Sequence, residues 1–128
     1  MTVSTHILDA MAGRPAPSVS VALSLLDAGG TWRPVEEGVT DADGRLRFAA
    51  QTSAGVYRLT FATGPYFGGR SVATFYPEVA ITFSVEGEPP GHADHSGHSG
   101  HSGHSGHSGH YHVPLLLSPY SYSTYRGS

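Results

Sequence analysis

The chain has 128 residues, 10 acidic side chains against 7 basic ones, and a formal charge of -3 with histidine neutral. That length suits a single domain spanning residues 1–128, with one core. The basic residues are all arginine and scattered from Arg14 to Arg126, so no stripe is present to displace counterions from nucleic acid, and the lack of cysteine removes disulfides, thiolate nucleophiles and sulfur-based zinc sites.

From the N-terminus, Met1 to His6 carries neither the basic region nor the apolar run of a secretory signal. No apolar stretch downstream approaches the roughly 18 residues that span a bilayer, so a cytoplasmic protein with no membrane partner is expected. Between Pro17 and Asp27, Val19, Val21, Leu23 and Leu25 alternate with Ser18, Ser20, Ala22 and Ser24, the period of two that marks a half-buried strand. Asp27-Ala28-Gly29-Gly30 closes that strand, and Asp41-Ala42-Asp43-Gly44 opens another with residues that tolerate positive φ.

The alternation returns at Leu46 and Phe48, at Tyr57, Leu59 and Phe61, and most clearly at Val79, Ile81, Phe83 and Val85. Short strands at this spacing predict an all-β sandwich. One short helix is expected within Pro65 to Arg70, against the resistance of Gly68 and Gly69, each of which costs about 1 kcal/mol relative to alanine in a helix interior.

Residues 87–109 change abruptly to Gly, Pro, His and Ser, with His-Ser-Gly repeated five times from His95 to Gly109. Such a segment has no apolar area to offset roughly 1–2 kcal/mol of backbone entropy per residue, so a flexible insertion loop is expected there. Order-promoting sequence resumes from Tyr111 to Ser128, with Val113, Leu115, Leu116 and Leu117. A segment so short is not stable alone and must reach back to pair with earlier strands.

Histidines outside the loop are few: His6, then His110 and His112 at its far end. Residues at i and i+2 of a strand share a face, which puts His110 and His112 on one side. His110 also continues the three-residue repeat in phase with His107, so it stands open between a site residue and the last member of the repeat. An extended polar strand end can equally carry histidines that have no role.

Four blocks in order carry a more specific signal: Thr5-His6-Ile7-Leu8-Asp9 with Gly13-Arg14-Pro15-Ala16; Asp41 to Leu46; Phe75-Tyr76-Pro77-Glu78-Val79; and His110 to Pro119 through the closing Tyr125-Arg126-Gly127-Ser128. Together they resemble the transthyretin-related 5-hydroxyisourate hydrolases. The resemblance implies a transthyretin-like (prealbumin-like) β-sandwich of about eight strands, assembled as a homotetramer with active sites in a channel between dimers. It also implies the hydrolysis of a small-molecule substrate, 5-hydroxyisourate, to 2-oxo-4-hydroxy-4-carboxy-5-ureidoimidazoline in urate breakdown, with no metal or organic cofactor required.

Carried onto this sequence, the resemblance makes His6 and His112 the pair that activates water and transfers protons, with the division of labour undecided. Histidine suits both tasks because its ordinary pKa is about 6.5. Arg45 is the expected substrate clamp, since a guanidinium can engage a ring edge through two hydrogen bonds. The tail adds Tyr125 as a wall, Arg126 as a further substrate contact and Ser128 as a catalytic hydroxyl.

His92, His95, His98, His101, His104 and His107 are the departure from the family pattern. In an extended chain a three-residue period returns each imidazole about 9 Å further on, so chelation requires the chain to fold around an ion. Zinc, nickel or copper(II) on this loop as accessory ligands is one reading, and repeat expansion in a permissive loop is the other. Two alternatives to the enzyme also stand: a small-ligand carrier of transthyretin type, and a metal-storage protein working through the loop.

Overall fold

The computed structural model describes residues 1–87 and 109–128, and its strands follow the alternation in the sequence. In chain order they are β1 (Thr2–Asp9), β2 (Arg14–Pro15), β3 (Ser20–Leu26), β4 (Trp32–Val39), β5 (Arg45–Arg47), β6 (Gly55–Phe61), helix α1 (Thr63–Gly68), β7 (Val79–Val85), β8 (His110–Ser118) and β9 (Ser121–Thr124). One sheet runs β2-β1-β8-β9, with β5 also alongside β1, and the other runs β4-β3-β6-β7. The expected all-β sandwich with one short helix is the architecture observed.

Period-two burial builds the core. Along β1, Val3, Thr5, Ile7 and Asp9 are buried while Thr2, Ser4, His6 and Leu8 are half-exposed. Leu23 from β3, Leu59 and Phe61 from β6, Val79 from β7 and Leu115 from β8 meet them between the sheets, each almost wholly buried. Full burial of such a side chain is worth about 1.5–3 kcal/mol, enough to fix which face each strand turns inward.

The segment after the insertion does reach back. β8 lies parallel to β1 from Thr2↔His110 to Asp9↔Leu117, so the first and last long strands are neighbours at the centre of one sheet. The helix begins at Thr63, two residues before the expected Pro65, and ends at Gly68. Gly68 thus closes the helix instead of interrupting it, and Gly69 follows as its C-cap.

One buried polar contact ties that helix to β1. Asp9 accepts the backbone N–H groups of Met11 and Ala12 on Oδ1, both at 2.9 Å, and the Tyr66 hydroxyl on Oδ2 at 2.6 Å. Burial, reinforced by the carboxylate, pushes the Tyr66 hydroxyl up to about 12. The flexible loop expected over 87–109, with His92, His95, His98, His101, His104 and His107, lies almost entirely outside the described residues.

Candidate active site

Three strands meet to form a polar patch on the outward face of the β1–β8 sheet. The antiparallel register of β5 on β1 sets Arg45 opposite His6 and Arg47 opposite Ser4. The parallel register of β8 sets Ser4 beside His112 and Thr2 beside His110. Opposed residues share a face, so Arg47, Ser4 and His112 form one row, and Arg45 and His6 the next. His6 and His112 are diagonal neighbours across the strand pair, a relation that separates side chains by roughly 7–8 Å in a sheet and leaves room for a water or a substrate edge.

The turn before β5 fixes that register. Asp41 accepts the backbone N–H groups of Asp43 at 2.8 Å and Arg45 at 3.0 Å on Oδ1, and Gly44 follows with φ +73. A Cβ at Gly44 would sit 2.5 Å from the Ile7 carbonyl oxygen, so only glycine lets the turn press against β1 and present its own carbonyl to the Ile7 N–H at 2.8 Å. The Asp41 carboxyl is held below the usual carboxylate range, chiefly by the Arg45 backbone N–H. With that carboxylate committed to backbone, neither Arg45 nor Arg47 has an ion-pair partner among the described residues.

A continuous line of hydrogen bonds joins the histidines. Thr2 Oγ1 lies 2.6 Å from His110 Nδ1, Ser4 Oγ lies 2.8 Å from His110 Nε2, and the same Ser4 Oγ lies 2.8 Å from His112 Nδ1. Burial lowers the pKa of both rings below the ordinary histidine value, aided at His110 by Arg47 and at His112 by His110, His6 and Arg45. His6 Nε2 is buried with no hydrogen-bond partner among the described residues. Such orphans are few in folded proteins, and this one fits a nitrogen kept for a ligand.

The C-terminal tail closes over one side. Gly127 forms an antiparallel bridge to His112, donating its N–H to the His112 carbonyl at 2.8 Å. A Cβ on Gly127 would stand 2.5 Å from His112 Cδ2, so the backbone there lies directly on the imidazole. Tyr125 is 60% exposed, and Ser128 is exposed one residue beyond the bridge.

The structure therefore brings His6, His112 and Arg45 together on one face and leads the tail with Tyr125 and Ser128 to its edge. The Arg126 guanidinium lies 4.4 Å over the ring of Tyr111, which turns into the core between the two outward histidines. His110, open in the sequence, stands in the hydrogen-bonded line. Sequence reading does not single out Ser4, Thr2 or Gly127, and it leaves Arg47 out of the site although, two residues after Arg45, it can share that face. The available signal for the first two was their i−2 and i−4 spacing from His6 in a strand. Among the described residues no group of three or more His, Asp or Glu side chains is arranged to hold a metal ion.

Two histidines, one of them with a ring nitrogen unpartnered among the described residues, and two guanidinium groups on the face of a β-sandwich define a site for acid–base chemistry on a small polar molecule. The chain belongs to the HIUase/Transthyretin family, whose profile matches residues 3–95 and 103–127. It is 40% identical to the 5-hydroxyisourate hydrolase of Salmonella dublin over 129 residues, covering 98% of this chain and 80% of that one. Its structure resembles that of Klebsiella pneumoniae 5-hydroxyisourate hydrolase, with a TM-score of 0.74, 35% identity and full coverage of both chains. It also resembles transthyretin from Sparus aurata, with a TM-score of 0.77, 34% identity and coverage of 98% of this chain and 95% of that one.

Proposed function

We propose that this protein is a 5-hydroxyisourate hydrolase. Fold alone does not separate enzyme from carrier, because a hydrolase and a transthyretin resemble it about equally well. Two findings favour the enzyme: the relatives named as hydrolases, at 32% to 42% identity over nearly the whole chain, and the convergence of His6, His112 and Arg45 on one face. That convergence is the observation that carries the reading.

The chemistry follows from what these groups can do. Hydrolysis of a cyclic amide forms a C–O bond from water, breaks the ring C–N bond and returns a proton to the departing nitrogen. One imidazole takes the proton from water and the other supplies one to the nitrogen, a division histidine serves near neutral pH. Arg45, without an ion-pair partner among the described residues, holds the substrate edge where negative charge gathers. Ser128 offers a hydroxyl to substrate or water, and Tyr125 narrows the entrance. Arg126, stacked on Tyr111, contributes by fixing the tail through a cation–π contact. Base, acid and cation all come from the chain, so turnover is expected to survive a chelator.

A single copy presents this site as an open face, which needs a wall to exclude water. A homotetramer with sites between facing copies supplies one, and Phe75, Tyr120, Tyr122 and Tyr125, exposed at 69%, 65%, 40% and 60%, are apolar surface for such contacts. The decay of freshly generated 5-hydroxyisourate, followed by ultraviolet absorbance with chelator present, tests the reading. Wild type accelerating the decay while His112→Ala does not supports it, and no acceleration by wild type refutes it.

A further inference from the structure

We propose that Ser4 and His110 are positioning residues that hold His112 with its proton on Nδ1 and a bare Nε2 turned to the substrate. This makes His112, and not His6, the base that takes the proton from water, and it rests on the hydrolase reading above. The argument comes from the direction in which a line of hydrogen bonds must run.

Each member of the line has a limited number of protons to give. The Gly109 carbonyl oxygen, 3.3 Å from Thr2 Oγ1, can only accept, so with the Thr2 proton directed to it the hydroxyl oxygen accepts from His110 Nδ1, 2.6 Å away. His110 therefore carries its proton on Nδ1 and, as a neutral ring, has an accepting Nε2. Ser4 gives its one proton to that Nε2 at 2.8 Å, which leaves the Ser4 oxygen as acceptor for His112 Nδ1 at 2.8 Å. The proton of His112 is thereby placed on Nδ1, and Nε2 keeps its lone pair. The opposite polarity would require Thr2 to give up the Gly109 carbonyl.

Two further features fit this arrangement. Neutral rings are what the line needs, and burial of both His110 and His112 disfavours their charged forms. The line also stays intact when His112 Nε2 gains a proton, because Nδ1 still donates to Ser4 and no ring has to rotate. Gly127 packs on Cδ2, the carbon between Nε2 and Cγ, and so holds the ring plane from the tail side. A partner that orients an imidazole and selects its tautomer is a recurrent requirement for histidine bases, and presenting the wrong nitrogen costs up to about 10⁴-fold in rate where the partner is a carboxylate.

The test is the tautomer itself. In protein labelled with ¹⁵N at histidine, the ring-nitrogen shifts and couplings of His112 at pH 8 report which nitrogen carries the proton, whether or not the protein hydrolyses anything. The expected result is an Nδ1–H ring in wild type. Ser4→Ala is expected to move His112 toward the Nε2–H form and to lower kcat about 10- to 100-fold with KM nearly unchanged. Ser4→Thr, which keeps a hydroxyl at the same reach, is expected to restore both.

An Nε2–H ring in wild type overturns the proposal, as does a tautomer that Ser4→Ala leaves unmoved. An Nδ1–H ring in a wild type without hydrolytic activity upholds the positioning and refutes the hydrolase reading instead.

Discussion

The outward face of the β1–β8 sheet carries His6, His110, His112, Arg45 and Arg47 within a few register steps. On the outward face of the other sheet, Ser20, Ala22, Thr60 and Ala62 line a groove of about 520 Å³ flanked by Glu37 and Glu78, with no histidine or arginine among the described residues of its wall. Both faces arise from the same period-two alternation, and each leaves half its residues free of the core. A search for concavity alone leads to the groove. A search for groups that exchange protons near neutral pH leads to the histidine face, which is an open surface.

The largest expected difference between the faces is catalytic. His112→Ala or His6→Ala is expected to lower kcat by about 10²–10⁴-fold, the usual contribution of a general acid or base, while leaving the far-ultraviolet circular dichroism unchanged. Retention of more than a tenth of wild-type turnover by both variants removes the histidine face from the mechanism. Next in size is Gly127→Ala, whose new Cβ at 2.5 Å from His112 Cδ2 must displace either the ring or the tail. A shift near 1 Å at a reacting group costs about 10²-fold, and the loss is expected in kcat with unaltered thermal stability.

How much of this face could be read from the sequence differs residue by residue. β3 and β7 were legible because they bury one face and their apolar residues alternate, and β8 because order-promoting residues, Val113, Leu115, Leu116 and Leu117, resume after the repeat. β4 was not: among the described residues Trp32–Val39 pairs only with β3, so as an edge strand it accommodates Pro34, Glu36 and Glu37, and a bulge between Leu23 and Ser24 breaks its register. β9 is exposed throughout and shows no burial pattern to read.

In the site, His6, His112 and Arg45 were identified through the family blocks and not through spacing alone. Ser4 was invisible for a physical reason. A serine in a strand is unremarkable until the parallel pairing of β1 with β8 brings it to a histidine 108 residues away. The need for glycine in the closing Tyr-Arg-Gly-Ser likewise appears only when its backbone is seen lying on the ring.

A third difference concerns stability rather than rate. Tyr66→Phe leaves one oxygen of the buried Asp9 carboxylate without its partner, at an expected cost of about 1–3 kcal/mol in urea unfolding, with kcat unchanged below the transition. A loss of turnover in folded Tyr66→Phe couples that contact to the histidine face.

Smaller still is the pH dependence of folding contributed by the face. His110 and His112 bind protons less readily in the folded chain than in the unfolded one, because burial lowers both pKa values. The stability linked to them is fully present above the unfolded histidine value of about 6.5 and is lost as pH falls through it toward the lowered folded values. The melting temperature is expected to drop between pH 7.5 and 5.5, and the drop is expected to shrink in the double variant His110→Gln, His112→Gln. A rise on acidification in wild type means that the folded rings are instead stabilised as cations.

The smallest expected effect tests the groove. Glu37→Gln with Glu78→Gln removes two carboxylates from its rim and changes nothing on the β1–β8 face, from which the core separates it. Charges that far apart are screened beyond a Debye length of about 8 Å at physiological salt. Surface substitutions of this kind usually change stability by no more than about 0.5 kcal/mol, so both melting temperature and kcat/KM should stay within about twofold-equivalent limits of wild type. A tenfold loss of turnover in this variant, with His112→Ala still active, reverses the comparison and moves the chemistry into the groove.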